Sequence, residues 1–171
     1  MQAPLPASPQ AGVEELKIGV ISDTHDYLDP NALKLLQGVD YILHAGDIGR
    51  LKIILDLERI APVTAVLGNT DDPDLRFPLT ATVQLGRWKF LLHHIVNPRA
   101  PTEALADRIA KEQPHAVIFG HTHQAFRETL NGILFLNPGY AGKPRFGMPR
   151  SLMILHCKAD GLQPRFLPLS D

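Results

Sequence analysis

The chain has little cysteine, few aromatic residues and no long apolar run. Only one of its 171 residues is a cysteine, Cys157, so no disulfide can form within the chain and nothing calls for an oxidising compartment. No stretch of about 18 apolar residues exists, which excludes a membrane-spanning helix. We therefore expect a soluble protein of the cytoplasm with no membrane association.

An excess of charge of one sign is also absent. The chain has 17 Lys and Arg residues against 18 Asp and Glu residues, a formal net charge of -1. A protein that binds a polyanion without sequence preference needs a broad basic field, so we expect no stable nucleic-acid binding.

The length of the chain fits one domain. A single core in a chain of this size buries about two thirds of the unfolded surface. Residues 1–15 contain three prolines and little apolar periodicity, which predicts a disordered leader. Residues 16–171 are then expected to form one domain.

Short runs rich in Val, Ile and Leu alternate with helical patterns in the first part of the chain. This order of strands and helices implies parallel strands joined by right-handed crossovers. The predicted elements are a strand at 16–22, a helix at 30–37, a strand at 41–44, a helix at 51–59 and a strand at 63–67.

Hairpin patterns dominate the rest. Asn131-Gly132 between two alternating runs is a strong hairpin signal, and Asp160-Gly161 lies between two further runs in the same way. The pattern indicates a layered α/β sandwich, parallel early and antiparallel late. The later predicted elements are hairpins at 82–92, 125–136 and 151–167, a helix at 101–113 and a strand at 116–119.

Polar clusters follow the apolar runs, where each strand should give way to a loop. Loops at strand ends are the usual place for a site built on a rigid scaffold. The carboxylate, amide and imidazole groups of these clusters favour Mn, Fe, Ni, Co or Zn over Ca or Mg. The clusters are Asp23-Thr24-His25, Gly46-Asp47, Gly68-Asn69, His93-His94 and Gly120-His121-Thr122-His123.

The spacing within the clusters supports a two-metal hydrolytic centre. Asp23 and His25 are two residues apart, so both side chains project from one face if the chain stays extended. His121 and His123 repeat this spacing. Asp47 has two oxygens that suit a bridge between cations, while the Asn69 amide supplies a neutral oxygen ligand.

The ordered set of motifs carries a family resemblance. The order Asp-x-His, Gly-Asp, Gly-Asn, a lone His and Gly-His-x-His resembles the calcineurin-like metallophosphoesterases. Ser22-Asp23-Thr24-His25, Gly46-Asp47-Ile48-Gly49 and Asn137-Pro138-Gly139 are similar to the small bacterial and archaeal branch related to the retromer subunit Vps29. The likeness runs from about Lys17 to the last residue.

The resemblance implies a four-layer α/β/β/α sandwich of two mixed sheets and two ion sites that share Asp47. Manganese is the expected metal. The first implied ligand set is Asp23, His25, Asp47 and His123. The second implied ligand set is Asp47, Asn69, His93 and His121.

The choice between His93 and His94 rests on the register of one strand, since a strand points adjacent side chains to opposite sides. We choose His93 as the ligand because it directly ends the apolar run Phe90-Leu91-Leu92. His94 is then a candidate to contact the substrate. A register shifted by one residue exchanges these roles.

The implied reaction is hydrolysis of a phosphodiester by a hydroxide that bridges the two metals. Asp47 and Asn69 would hold the metals. Asp71 is a candidate to orient ligands or a water, and Asp72 competes for that role. Larger members of the superfamily place an acid histidine directly after the Asn, where this chain has Thr70. His94 is a candidate to deliver the proton instead.

Two other functions stay open. A Vps29-like interaction module would carry a vestigial metal site, yet every ligand position is filled here. A nuclease would want a basic groove, which the charge balance does not indicate. We therefore expect a small phosphate ester as substrate, with Arg145 as a candidate phosphate contact. Exposed edge strands could also support a homodimer.

Overall fold

The strands form two five-stranded sheets in a computed structural model that describes residues 15–170. The predicted leader, residues 1–15, lies outside the described residues except for Glu15. The strands are β1 (Leu16–Ile21), β2 (Tyr41–His44), β3 (Val63–Ala65), β4 (Thr80–Leu85), β5 (Trp88–His93), β6 (Ala116–Ile118), β7 (Phe126–Leu130), β8 (Ile133–Asn137), β9 (Ser151–Lys158) and β10 (Gly161–Pro168). The α-helices are α1 (Pro30–Leu35), α2 (Leu51–Glu58) and α3 (Glu103–Glu112).

Both sheets are mixed. The first has the order β10-β9-β1-β2-β3, in which β1, β2 and β3 are parallel, as the early pattern predicts. The second has the order β4-β5-β6-β8-β7, with β5, β6 and β8 parallel. The three predicted hairpins are all present as antiparallel pairs.

Three apolar clusters join the layers. Val20 and Leu43 of the first sheet pack with Phe90 of the second, so one cluster lies between the sheets. A second cluster joins α1 and α2 to the first sheet, and a third joins Leu105 of α3 to Val117 of the second sheet. The order is therefore α/β/β/α, and the predicted four-layer fold is confirmed. Each fully buried Leu, Ile or Phe contributes about 1.5–3 kcal/mol.

Local capping sets the starts of two helices. The Asp29 carboxylate accepts from the Asn31 N–H at 2.8 Å, and the Thr102 side chain accepts from the Leu105 N–H at 3.3 Å. Asp29 also accepts from Arg150 at 2.5 Å in a buried ion pair. This pair ties the segment before β9 to the loop after β1, because its partners lie 121 residues apart.

The parallel strands end at one edge of the molecule. The loops after β1, β2 and β3 meet there with the loops after β5 and β6, as contacts such as the Gly120 N–H donating to the His94 carbonyl at 3.0 Å show. All the polar clusters named above follow these five strands. Among residues 15–170, no helix has the length and apolar character needed to cross a membrane.

Candidate metal centre

The polar loops bring six side chains into two groups. Within each group, every residue offers one nitrogen or oxygen atom, and these atoms all lie within 4.8 Å of one another. The first group is Asp23, His25 and His123. The second group is Asp47, His94 and His121.

Asp23 has one carboxylate oxygen tied to the fold and one aimed into the first group. Its Oδ2 accepts from the Ser22 hydroxyl at 2.6 Å and from the His121 N–H at 3.1 Å. Among the described residues its Oδ1 is buried without a hydrogen-bond donor, 3.2 Å from His123 Nε2 and 3.7 Å from His25 Nε2. Burial opposes ionisation, but the nearby His25 imidazole and the hydrogen bond from Ser22 outweigh it and lower the pKa of Asp23.

His94 points at Asp47 with a ring nitrogen that has no hydrogen-bond partner in the part of the chain that the structure describes. Its Nδ1 lies 2.7 Å from the Ala45 carbonyl, which can only accept, so Nδ1 carries the proton. In the neutral ring Nε2 then has no proton and can only accept, and it lies 3.2 Å from Asp47 Oδ2. Two facing acceptors need a proton or a cation between them. Burial disfavours the imidazolium, but the Asp47 carboxylate outweighs it and raises the pKa of His94.

Asp47 lies between the two groups. Its Oδ2 is 3.6 Å from His25 Nε2 of the first group and 3.2 Å from His94 Nε2 of the second. Its Oδ1 accepts from the Thr70 N–H at 3.0 Å. Burial raises the pKa of Asp47, yet the contacts with His94 and Thr70 hold it far below its usual range. The carboxylate is therefore ionised and faces both groups.

Strained backbone accompanies most of the centre. Five of the six residues have positive φ, a region that costs a non-glycine residue about 1–3 kcal/mol. The expectation that an extended chain presents Asp23 and His25 is therefore wrong, because tight loops present them instead. The five residues, with their φ angles, are Asp23 (56°), His25 (44°), Asp47 (53°), His121 (71°) and His123 (59°).

Two glycines allow the loops to approach the carboxylates. A Cβ atom on Gly68 would lie 2.1 Å from Asp47 Oδ1, and one on Gly120 would lie 2.5 Å from Asp23 Oδ2. Real Cβ atoms do not come that close to other heavy atoms. Each carboxylate therefore packs against a backbone that has no room for a side chain.

The two adjacent histidines point in opposite directions, and only His94 lies in the second group. His93, the last residue of β5, pairs with Thr80 of β4, and its Nδ1 lies 2.8 Å from the Thr80 hydroxyl. His94 points the other way, into the second group. The structure thus places His94, and not the predicted His93, with the second group, because the alternation of side chains puts His93 on the opposite face, beside Thr80 of the edge strand.

The other two predicted loop residues lie at the rim and behind the centre. The Asn69 Oδ1 is 3.0 Å from His121 Nδ1, so the amide oxygen lies beside the second group. The Asp71 carboxylate instead accepts from three backbone N–H groups, those of Ile48, Gly49 and Gly68. Asp71 therefore holds the Asp47 loop against the Asn69 loop, and its role in orienting ligands or a water stays a prediction.

The pattern of the whole chain decides its family. Residues 16–160 match the family model of the calcineurin-like phosphoesterase superfamily domain. The chain belongs to the calcineurin-like phosphoesterases. The resemblance drawn from the motifs is thereby confirmed.

Individual relatives agree with this family. The chain is 33% identical over 157 residues to a probable metallophosphoesterase of Methanothermobacter thermautotrophicus, covering 88% of this chain and 91% of that protein. The solved structure of an archaeal phosphodiesterase is 26% identical with a TM-score of 0.71 and covers 90% of this chain and 100% of its own. Vps29 of Entamoeba histolytica with Zn²⁺ shares the fold, at 22% identity and a TM-score of 0.69, over 90% and 99% of the chains.

In this calcineurin-like chain, His44 joins the loop after β1 to the loop after β2. The Gly46 N–H donates to His44 Nδ1 at 3.2 Å, so the proton of the neutral ring is on Nε2, which donates to Thr24 Oγ1 at 3.0 Å. The Thr24 hydroxyl donates in turn to the Ile48 carbonyl at 2.8 Å. Burial lowers the pKa of His44 to about 4. The sequence carries no signal of this relay.

An aromatic platform lies beside the first group. The ring of Tyr140, a buried residue, is 4.7 Å from the His123 ring and 6.2 Å from the His25 ring. The Arg145 guanidinium lies 5.2 Å from the Tyr140 ring centroid. Arg145 is exposed, and its contact with the Tyr140 ring places it near the centre, as the sequence suggested. Tyr140 was not predicted.

Proposed function

We propose that this calcineurin-like phosphoesterase hydrolyses phosphodiesters at a centre that holds two divalent cations. The observation that carries the proposal is the position of Asp47, whose Oδ2 faces His25 of the first group and His94 of the second. A carboxylate between two sets of imidazole nitrogens suits two ions that share one ligand.

The residues of the centre fit such ions. Asp23 Oδ1 and His94 Nε2 are buried and have no hydrogen-bond partner among the described residues, and both point into the groups. The mixture of carboxylate and imidazole favours first-row metals, with manganese expected and iron, nickel, cobalt or zinc as further candidates. Divalent ions supply a lowered pKa for an attacking water and neutralise charge on the phosphoryl oxygens.

The chain's own residues position the reacting groups. The first sheet supplies Asp47 to the second group and places Asn69 beside His121. Arg145 offers a guanidinium beside the first group that can bind a phosphate oxygen. With His94 turned into the second group, it no longer serves as the acid for the leaving group. Thr70 is a weak acid, so esters with good leaving groups are expected to react fastest.

A diester is preferred over a monoester on two grounds. One relative with a solved structure is named a phosphodiesterase at 26% identity. A diester also carries one negative charge, which one guanidinium such as that of Arg145 balances better than it balances the double charge of a monoester. The balanced net charge of -1 favours a small ester over a nucleic acid, so a nuclease is not proposed.

A Vps29-like interaction role is the second candidate, since Vps29 structures share the fold. Loss of ligands would favour that role. All six residues of the two groups are instead present and converge, which favours the enzyme.

Metal analysis combined with a screen of phosphate esters tests the proposal. We expect the purified protein to bind two divalent ions per chain and to hydrolyse bis(p-nitrophenyl) phosphate faster than p-nitrophenyl phosphate. A chelator should abolish turnover, and Mn²⁺ should be among the best ions in restoring it. An activity that resists chelation, or two bound ions with no activity on any ester, would refute the enzyme.

A further inference from the structure

An apolar cleft opens beside His121 of the second group. Its volume is about 420 Å³, and His121 is part of its wall. The other apolar lining residues are Ile95, Val96, Pro98, Phe119, Ala125 and Phe126.

The cleft and the second group are built from the same two segments. His94 is followed directly by Ile95 and Val96, while Phe119 precedes His121 by two residues. The rings of His94 and His121 lie 5.4 Å apart, edge to face. A molecule bound at the second group therefore has this apolar cleft beside it, since His121 belongs to both.

The chemistry of the cleft selects a neutral, flat group. Phe119 and Phe126 form an edge-to-face pair with ring centroids 5.8 Å apart. Ile95 is 48% exposed beside them, although a large apolar side chain normally gains by burial. Within the described residues, the lining contains no Asp, Glu, Lys or Arg. A cavity of about 150 Å³ already holds benzene, so this cleft has room for an aromatic ring.

We infer that the cleft is the subsite for an aromatic ester substituent of the substrate, whose phosphate binds at the two groups. The inference rests on the proposed function for the identity of the phosphate ester. It adds an orientation: the charged end of the substrate lies toward Arg145, and its ring lies against Ile95 and Phe126. Aliphatic esters such as methyl esters leave the cleft unfilled.

Binding of two phosphonates measures the subsite apart from turnover. Phenylphosphonate and methylphosphonate carry the same charged group and no ester bond. Calorimetry on the Mn²⁺-loaded protein therefore compares a phenyl with a methyl substituent. We expect phenylphosphonate to bind about tenfold more tightly, or better, as burial of a ring predicts.

Matched variants locate the effect. Ile95→Ser removes apolar surface from the cleft and Ala125→Trp fills it, so both should bring the ratio of the two dissociation constants close to one. Leu55→Ser is the control, because Leu55 is 52% exposed, close to the value for Ile95, but lies on α2 outside the cleft. It should keep the wild-type ratio.

The outcomes separate the subsite from the enzyme. Equal binding of the two phosphonates, no binding of either, or the same ratio in Ile95→Ser and Leu55→Ser overturns the subsite, even if diesters are hydrolysed. A high ratio that depends on Ile95 in a protein with no diesterase activity keeps the subsite and refutes the proposed function. In that case the bound molecule is an aryl phosphate that the protein does not cleave.

Discussion

The two sheets contribute different chemistry to the centre. Loops after strands of the first sheet supply both carboxylates, Asp23 and Asp47, along with His25. Loops after strands of the second sheet supply only imidazoles, those of His94, His121 and His123. Each group mixes residues of both sheets, so neither sheet alone could form either group. The centre therefore exists only when the two sheets are packed together.

The supporting contacts follow the same division. The loops of the first sheet are tied to each other by His44, through the Thr24 hydroxyl, and by Asp71, through bonds from backbone N–H groups. Contacts that join the second sheet's histidines to the first sheet include the bond from His94 Nδ1 to the Ala45 carbonyl and the bond from the His121 N–H to Asp23. The first sheet thus forms the anionic half of the centre, and the second sheet places imidazole nitrogens against it.

Asp47→Asn should have the largest effect, because it removes the charge that faces both groups. We expect kcat/KM for a diester to fall about a thousandfold and at least one ion to be lost. Asn tolerates the positive φ of this position, so the fold should stay intact. Kinetics, metal content and circular dichroism measure this. Full activity with two ions would show that Asp47 does not join the groups.

His94→Ala should cost about a hundredfold in kcat/KM and lose the second ion, since a nitrogen ligand of the second sheet is gone. His93→Ala is the matched variant, because His93 contacts Thr80 rather than the centre. It should keep both ions. The opposite result in metal analysis would restore the register first expected from the sequence.

Acid should weaken the anionic half through His44. The folded protein binds a proton at His44 only near pH 4, whereas the unfolded chain binds one near pH 6.5. The stability that this group contributes is complete above pH 6.5 and is lost as the pH falls toward 4, by on the order of 3 kcal/mol. Urea unfolding of wild type and His44→Gln across this range measures the difference. Parallel curves would contradict it.

Asp71→Asn should have the smallest effect of the four. The amide keeps one acceptor oxygen for the three N–H groups of Ile48, Gly49 and Gly68, so the free energy of unfolding should fall by about 2 kcal/mol. Asp72→Asn is the control, because Asp72 caps one turn and Asn caps equally well. Equal denaturation midpoints for the two variants would remove Asp71 as a clamp.

Much of the fold could be predicted because local signals agreed with the final structure. Asp29 and Pro30 marked the start of α1, and Asn131-Gly132 marked the turn between β7 and β8. Apolar runs without interruption marked the buried parallel strands. Helix ends differed by a few residues, as with α1, which ends at Leu35 rather than Gln37.

The centre could be predicted by residue type but not by geometry. Motif order named five of the six residues in the two groups, while the sixth depended on the side to which His94 turns, and β-strand alternation alone does not fix that side. Left-handed φ angles at residues such as Asp23 and His121 leave no mark in a sequence. The backbone bonds of Asp71 and His44 require loops far apart in the chain to meet.

Anomalous scattering from crystals soaked in Mn²⁺ tests the central claim most directly. The account predicts two peaks about 3.5–4 Å apart, one among Asp23, His25 and His123 and one among Asp47, His94 and His121. The Asp47 carboxylate should contact both. A single peak, a peak outside these groups, or two ions without Asp47 between them would contradict the account.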